Sequence, residues 1–307
     1  MKNLKTVKHL KHKLTLLVGI LFIVTVFVSA CGSNDTTPSV TVGSKNFTES
    51  LIVGEMYAQA LENAGYKVKR KLNLGGTLVA HESLKKGEID MYPEYTGTGL
   101  MNILDLPPKS DPQEVYDLVA QGYKDKFNLI WLEPTKANDS QGLVTTKKVA
   151  EKYNLYKISD LPKLAPELNL AAVPEFEERE DGLKGLNAFY GDMHFKSIKL
   201  YDYGMKYRVI LNGDADVTVG FTTDGELTNK ELVLLEDDGK FWPPYYVAPV
   251  IRADVLERDA NIGTVLNEVS KLLNDEVMQA LNAEVDINQK EYADVARDFL
   301  KQQGILK

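Results

Sequence analysis

Cysteine occurs once in the 307 residues, and histidine only four times. A single thiol can neither close an internal disulfide nor supply a multi-thiolate zinc site. With His9 and His12 at the extreme N-terminus, little is left for a histidine-based centre, and no metal site is expected. The chain also lacks a G-x-S-x-G elbow, a P-loop and an H-E-x-x-H helix, and Gly75-Gly76 stands without the rest of a dinucleotide fingerprint. Positive charge is scarce: 36 Lys+Arg face 44 Asp+Glu, a net charge of −8. That balance argues against nucleic acid as a partner. Carboxylates are plentiful, but a pair such as Glu55 and Glu94 has no independent mark of catalysis. Neither a catalytic residue nor a cofactor is expected.

What remains is ordinary globular material, 44% hydrophobic and 26% charged, long enough for two domains with buried cores. Its start is different. The first thirty residues hold five lysines (Lys2, Lys5, Lys8, Lys11, Lys13) and no acid; removing five from 36 leaves 31 against 44, or −13 for the rest. An apolar run, Leu14 to Ala30, follows the lysines, and small residues precede Cys31. A basic segment, an apolar segment and small residues at a cut site describe a secretory signal. Val28-Ser29-Ala30-Cys31, followed by GSNDTTPS, resembles the lipobox of bacterial lipoproteins. The resemblance implies that residues 1–30 are removed, that Cys31 carries the lipid, and that 31–39 is a tether. The working part then begins near Val40, on the extracytoplasmic face of the cell membrane.

From there the pattern alternates. Val40–Gly43, Tyr66–Leu72 and Ile89–Tyr92 read as strands; Ser50–Ala64 and Thr77–Lys86 show helical spacing, with Gly65 and Gly87 as stops. Such βαβαβ order predicts an α/β domain with a largely parallel sheet. Gly87-Glu88-Ile89-Asp90, leading to Tyr95-Thr96, recurs as Gly213-Asp214-Ala215-Asp216, leading to Phe221-Thr222. The recurrence suggests two similar lobes, each ending a strand with an aromatic residue in the following loop, where ligands bind in open α/β sheets. Lobe 1 is placed at 40–137 plus 246–307 and lobe 2 at 138–245, with Phe241-Trp242-Pro243-Pro244-Tyr245-Tyr246 as a rigid crossover. Asp254–Leu281 and Gln289–Gln303 read as helices.

Tyr92, Tyr95, Phe221, Tyr245 and Tyr246 fall in the expected cleft loops. Together they suggest a cage for a cation, because an aromatic face attracts positive charge. The segments VGSKNFTESLIVGE (42–55), GEIDMYPEYTGTG (87–99), PEFEEREDG (174–182), FTTDGEL (221–227) and FWPPYY (241–246) resemble the substrate-binding lipoproteins of osmoprotectant ABC importers. Those receptors take glycine betaine, carnitine, choline and relatives. The resemblance implies a bilobed, two-crossover binding-protein fold and permease subunits as partners. It also implies a site built from Tyr95, Phe221 and Tyr245 as cage walls, with Thr98 as a polar contact. Asp139 would lie beside the ammonium, and Lys45 and Arg179 would hold a ligand carboxylate. Gln141 stands where the family has a fourth aromatic wall, and Phe221 lacks a hydroxyl common there. Both departures leave the ligand open, with carnitine and ergothioneine as candidates. The residue-level alternative for Arg179 is a surface ion pair with Glu178, Glu180 or Asp181.

Overall fold

A computed structural model describes residues 39–307; the export segment, Cys31 and residues 32–38 of the tether lie outside the described residues. Two five-stranded sheets organise the described chain. The first contains β1 (Ser39–Gly43), β2 (Lys67–Lys71), β3 (Met91–Tyr95), β4 (Leu129–Trp131) and β10 (Val247–Arg252), in the order β2-β1-β3-β10-β4. The second contains β5 (Gln141–Thr146), β6 (Asn169–Ala172), β7 (Ser197–Leu200), β8 (Val217–Phe221) and β9 (Leu232–Leu234), in the order β7-β6-β8-β5-β9.

Both sheets follow one plan. Three parallel strands are joined by a fourth that runs the other way, β10 against β3 and β5 against β8. The expected largely parallel sheet is therefore mixed. The cause is connectivity: β5 and β10 are the strands the chain enters straight from the other sheet, with no crossover helix to set them parallel. The two crossings run side by side. Asp139 N–H donates to Tyr245 O (3.1 Å), Val247 N–H to Ala137 O (3.2 Å), and Tyr245 N–H to Asn138 Oδ1 (2.7 Å).

Apolar spacing accounts for the helices. Thr48–Asn63 turns Ile52, Val53, Met56, Tyr57, Ala60 and Leu61 inward, a stripe of helical period, and ends before Gly65 at φ 94°. Thr77–Lys85 likewise ends before Gly87 at φ 71°. β2 reads KVKRK, with all but Val68 exposed; lysine and arginine on a sheet edge discourage pairing with another chain. The run expected as one helix from Asp254 is broken into Ala253–Arg258, Asn261–Ser270 and Asp275–Asp286, with Tyr292–Gln302 closing the chain. Polar side chains make the breaks. Asp259 Oδ1 accepts from Asn261 N–H (2.9 Å), and Asn274 Oδ1 caps Val277 N–H (2.9 Å), each offering the backbone an alternative to helix. Among the described residues no helix is long and apolar enough to cross a membrane.

Candidate functional site

The recurring Gly-acid-X-Asp phrase marks equivalent places. Gly87 and Gly213 both take positive φ (71° and 82°) after a helix, and the strands that follow, β3 and β8, end on Tyr95 and Phe221. Beyond Tyr95 the chain turns through Thr96–Thr98 beneath Tyr245. A Cβ at Gly97 would lie 2.7 Å from Tyr245 Cε1, too close for real atoms, which is why this Tyr-Thr-Gly-Thr turn needs glycine. Gly97→Ala is expected to push the Tyr245 ring aside and cost about 1–3 kcal/mol, read as a lowered midpoint in urea unfolding.

The eight residues implied by the resemblance line one cavity, of about 310 Å³ with its solvent-open space included, and Phe47, Glu175 and Tyr203 are additional walls; Tyr92 and Tyr246, grouped with them in the sequence, do not line it. Phe47 lies 5.7 Å from Tyr95, 5.8 Å from Tyr203 and 6.0 Å from Phe221, centroid to centroid, and Tyr203 lies 6.0 Å from Phe221. Gln141 opens β5 opposite Phe221 in the sheet register. Its Nε2 donates to Asp181 O (3.2 Å) and approaches Tyr245 Oη at 3.5 Å. Phe47 and Tyr203 thus add rings to a site in which Gln141 supplies none. Phe47 sits inside the quoted Lys45-Asn46-Phe47 segment but carried no mark distinguishing it from a core residue. Tyr203 follows β7 in a short 3-10 turn with no signal in the sequence around it.

Both basic residues are matched by internal acids. Lys45, 2% exposed, donates from Nζ to Glu94 Oε1 (2.5 Å) and Thr77 Oγ1 (3.2 Å), with its ammonium 5.0 Å from the Tyr95 ring. Arg179 follows the short Pro174–Glu178 helix and grips Asp181 through Nε (2.7 Å) and Nη2 (2.6 Å); Nη2 also donates to Thr98 Oγ1 (3.1 Å). The Arg179–Asp181 pair read as a surface possibility therefore exists, but inside the cleft, with Asp181 fully buried. Burial opposes the charge on Arg179, yet the neighbouring Asp181 carboxylate holds its pKa well above the usual value. Burial would likewise raise Asp181, but Arg179 and the Tyr245 hydroxyl, at 2.6 Å, keep it below the ordinary range. A third pair, Lys206 with Asp224 (2.6 Å), places an ammonium 4.3 Å from the Phe221 ring.

Two carboxylates have no such base. Among the described residues, neither Asp139 nor Glu49 forms an ion pair; both are buried, and both meet the Thr223 hydroxyl at 2.6 Å. Glu49 also accepts from Tyr95 Oη (3.1 Å) and Asn282 Nδ2 (3.0 Å). Burial pushes Glu49 up to about 7, only partly offset by the hydrogen bonds from Thr223, Asn282 and Tyr95. Burial, then the nearby Glu49 and Asp224 charges, also raises Asp139 well above the carboxylate range. A carboxyl whose folded pKa lies above its unfolded value binds more protons folded than unfolded, so stability falls as pH rises between the two. Stability is thus expected to decline from about pH 4.5 to 7 on account of Glu49. Glu49→Gln should flatten that part of the curve in thermal melts taken across pH; an unchanged slope would refute the assignment.

Residues 38–302 match the family model described as the substrate binding domain of ABC-type glycine betaine transport system. A carnitine transport binding protein of Listeria monocytogenes is 31% identical over 95% of this chain and 97% of its own length. An ergothioneine transport permease/ergothioneine binding protein of Helicobacter pylori is 32% identical over 86% of this chain and 47% of that longer protein. The crystal structure of a glycine betaine/carnitine/choline ABC transporter protein superposes with a TM-score of 0.70 at 29% identity, covering 87% of this chain and all of that one. The chain belongs to the family of substrate-binding domains of ABC-type glycine betaine transport systems.

Proposed function

We propose that this protein is an extracytoplasmic receptor, anchored by a lipid on Cys31, that captures a quaternary ammonium compound and delivers it to the permease subunits of an ABC importer. Residues 40–137 with 246–307 form one lobe, 138–245 the other, and ligand lies between them. The observation that carries this reading is the grouping of Phe47, Tyr95, Tyr203 and Phe221 with neighbouring rings 5.7–6.0 Å apart, beside two buried carboxylates without a base. The rings favour a cation that cannot donate hydrogen bonds. The contacts of Lys45 Nζ with the Tyr95 ring (5.0 Å) and of Lys206 Nζ with the Phe221 ring (4.3 Å) support this reading. Capture requires no covalent chemistry.

Titration calorimetry of the full chain in detergent against glycine betaine, carnitine, choline, proline betaine and ergothioneine tests this. Micromolar or tighter binding of one of them is expected, and silence across all five would sink the reading. Recovery of bound ligand unchanged after long incubation excludes the rival of a surface hydrolase acting on betaine esters.

A further inference from the structure

A second cavity, of about 570 Å³ and partly open to solvent, adjoins the aromatic one and shares Phe47, Asp139, Tyr203 and Phe221 with it. Its chemistry is one-sided: Glu49, Asp139, Asp224, Glu226 and Asp286 reach it, against one lysine, Lys206. Thr223 has one hydroxyl proton and meets a carboxyl oxygen of Glu49 and one of Asp139 at 2.6 Å; it donates to one of them, and a proton that burial holds on the other carboxyl completes the second bond. Asn282, on the Asp275–Asp286 helix and 3% exposed, donates both Nδ2 hydrogens, to Glu49 Oε2 (3.0 Å) and Thr223 O (2.9 Å). Those two bonds fix the amide's orientation, and its Oδ1 is left buried with no partner. A buried acceptor without a donor costs free energy until something supplies one.

We infer that this acceptor-rich cavity is a subsite for an N–H- or O–H-donating arm of the ligand, and that the protein selects trimethylammonium compounds bearing such an arm over glycine betaine. This rests on the reading proposed above. Glycine betaine has no N–H or O–H group, carnitine has one hydroxyl, and ergothioneine has ring N–H groups. An arm reaching past Phe221 would donate to Asp139, Glu49 or Asn282 Oδ1, while its trimethylammonium stays among the rings.

The test is calorimetry of the full chain with glycine betaine, carnitine and ergothioneine, on the wild type and on Glu49→Gln. At least one donor-bearing ligand is expected to bind about tenfold or more tighter than glycine betaine, the worth of one charge-assisted hydrogen bond. Glu49→Gln should shrink that ratio about fivefold or more. Asp139→Asn, at another of the named acceptors, gives the same readout if Glu49→Gln fails to unfold cooperatively. A smaller wild-type preference, or a ratio that survives substitution, overturns the subsite while leaving quaternary ammonium binding intact. Absence of binding to all three ligands overturns the subsite, and silence of choline and proline betaine as well defeats the function itself.

Discussion

Asp181→Ala is expected to lower the free energy of unfolding by about 3–5 kcal/mol. The carboxylate is fully buried and accepts from Arg179 Nε and Nη2 at 2.7 and 2.6 Å and from Tyr245 Oη at 2.6 Å. Removing it leaves a guanidinium, its side chain only 15% exposed, with only the more distant Glu175 carboxylate, at 3.5 Å, as counter-charge, and an aromatic hydroxyl without an acceptor. The loss is therefore dominated by what is stranded and not by the attraction that is lost. That distinction is measurable. Arg179→Met combined with Asp181→Leu should recover much of the stability, because no buried charge then remains. Urea unfolding of the two single variants and the double variant decides it. A single-variant cost below about 1 kcal/mol, the scale of a surface pair, would return Arg179 to the surface reading.

The second large effect concerns binding. Tyr95→Leu keeps apolar volume at the end of β3 but removes a π face from the cavity, and its expected cost is about 2 kcal/mol, or roughly thirtyfold in Kd, for a quaternary ammonium ligand. Arg179→Ala should also weaken binding, through loss of its bonds to Asp181 and Thr98. A receptor for an ordinary amino acid on the same scaffold would lose binding with Arg179→Ala and scarcely notice Tyr95→Leu. Calorimetry on both variants separates the two cases, since only a cation-binding cage requires both substitutions to hurt.

The half of the site formed by strand ends was legible in the sequence. Tyr95 and Phe221 could be placed because a helix stop, a short apolar strand and an aromatic residue repeat at fixed spacing, and all three are local properties. The counter-ions were only partly legible. Asp181, two residues from Arg179, is one of three flanking acids open to a surface pair, but its burial could not be read locally. Glu94 looks like any other acid in a chain rich in them, and its pairing with Lys45 exists only after distant segments meet. Forty-nine positions separate Lys45 from Glu94. The same holds for β10, whose antiparallel place beside β3 depends on where the chain returns from, not on its composition. In the C-terminal helices, periodicity gave helical character but not the breaks, which hang on single side chains at Asp259 and Asn274.

The paired crossings have a kinetic consequence. Because Asp139 is tied to Tyr245, and Ala137 to Val247, by backbone hydrogen bonds, the two connectors are expected to bend together, which would reduce relative motion of the sheets to one main coordinate. Walls attached to opposite sides of that coordinate, Tyr95 from β3 and Phe221 from β8, separate as a set. Residence time is then governed by how often the connectors flex as well as by the grip of each wall. The apparent affinity scales with the fraction of molecules in the competent form. Substitutions in these connectors, which need not touch the ligand, could therefore tune uptake by changing how long a captured molecule is held.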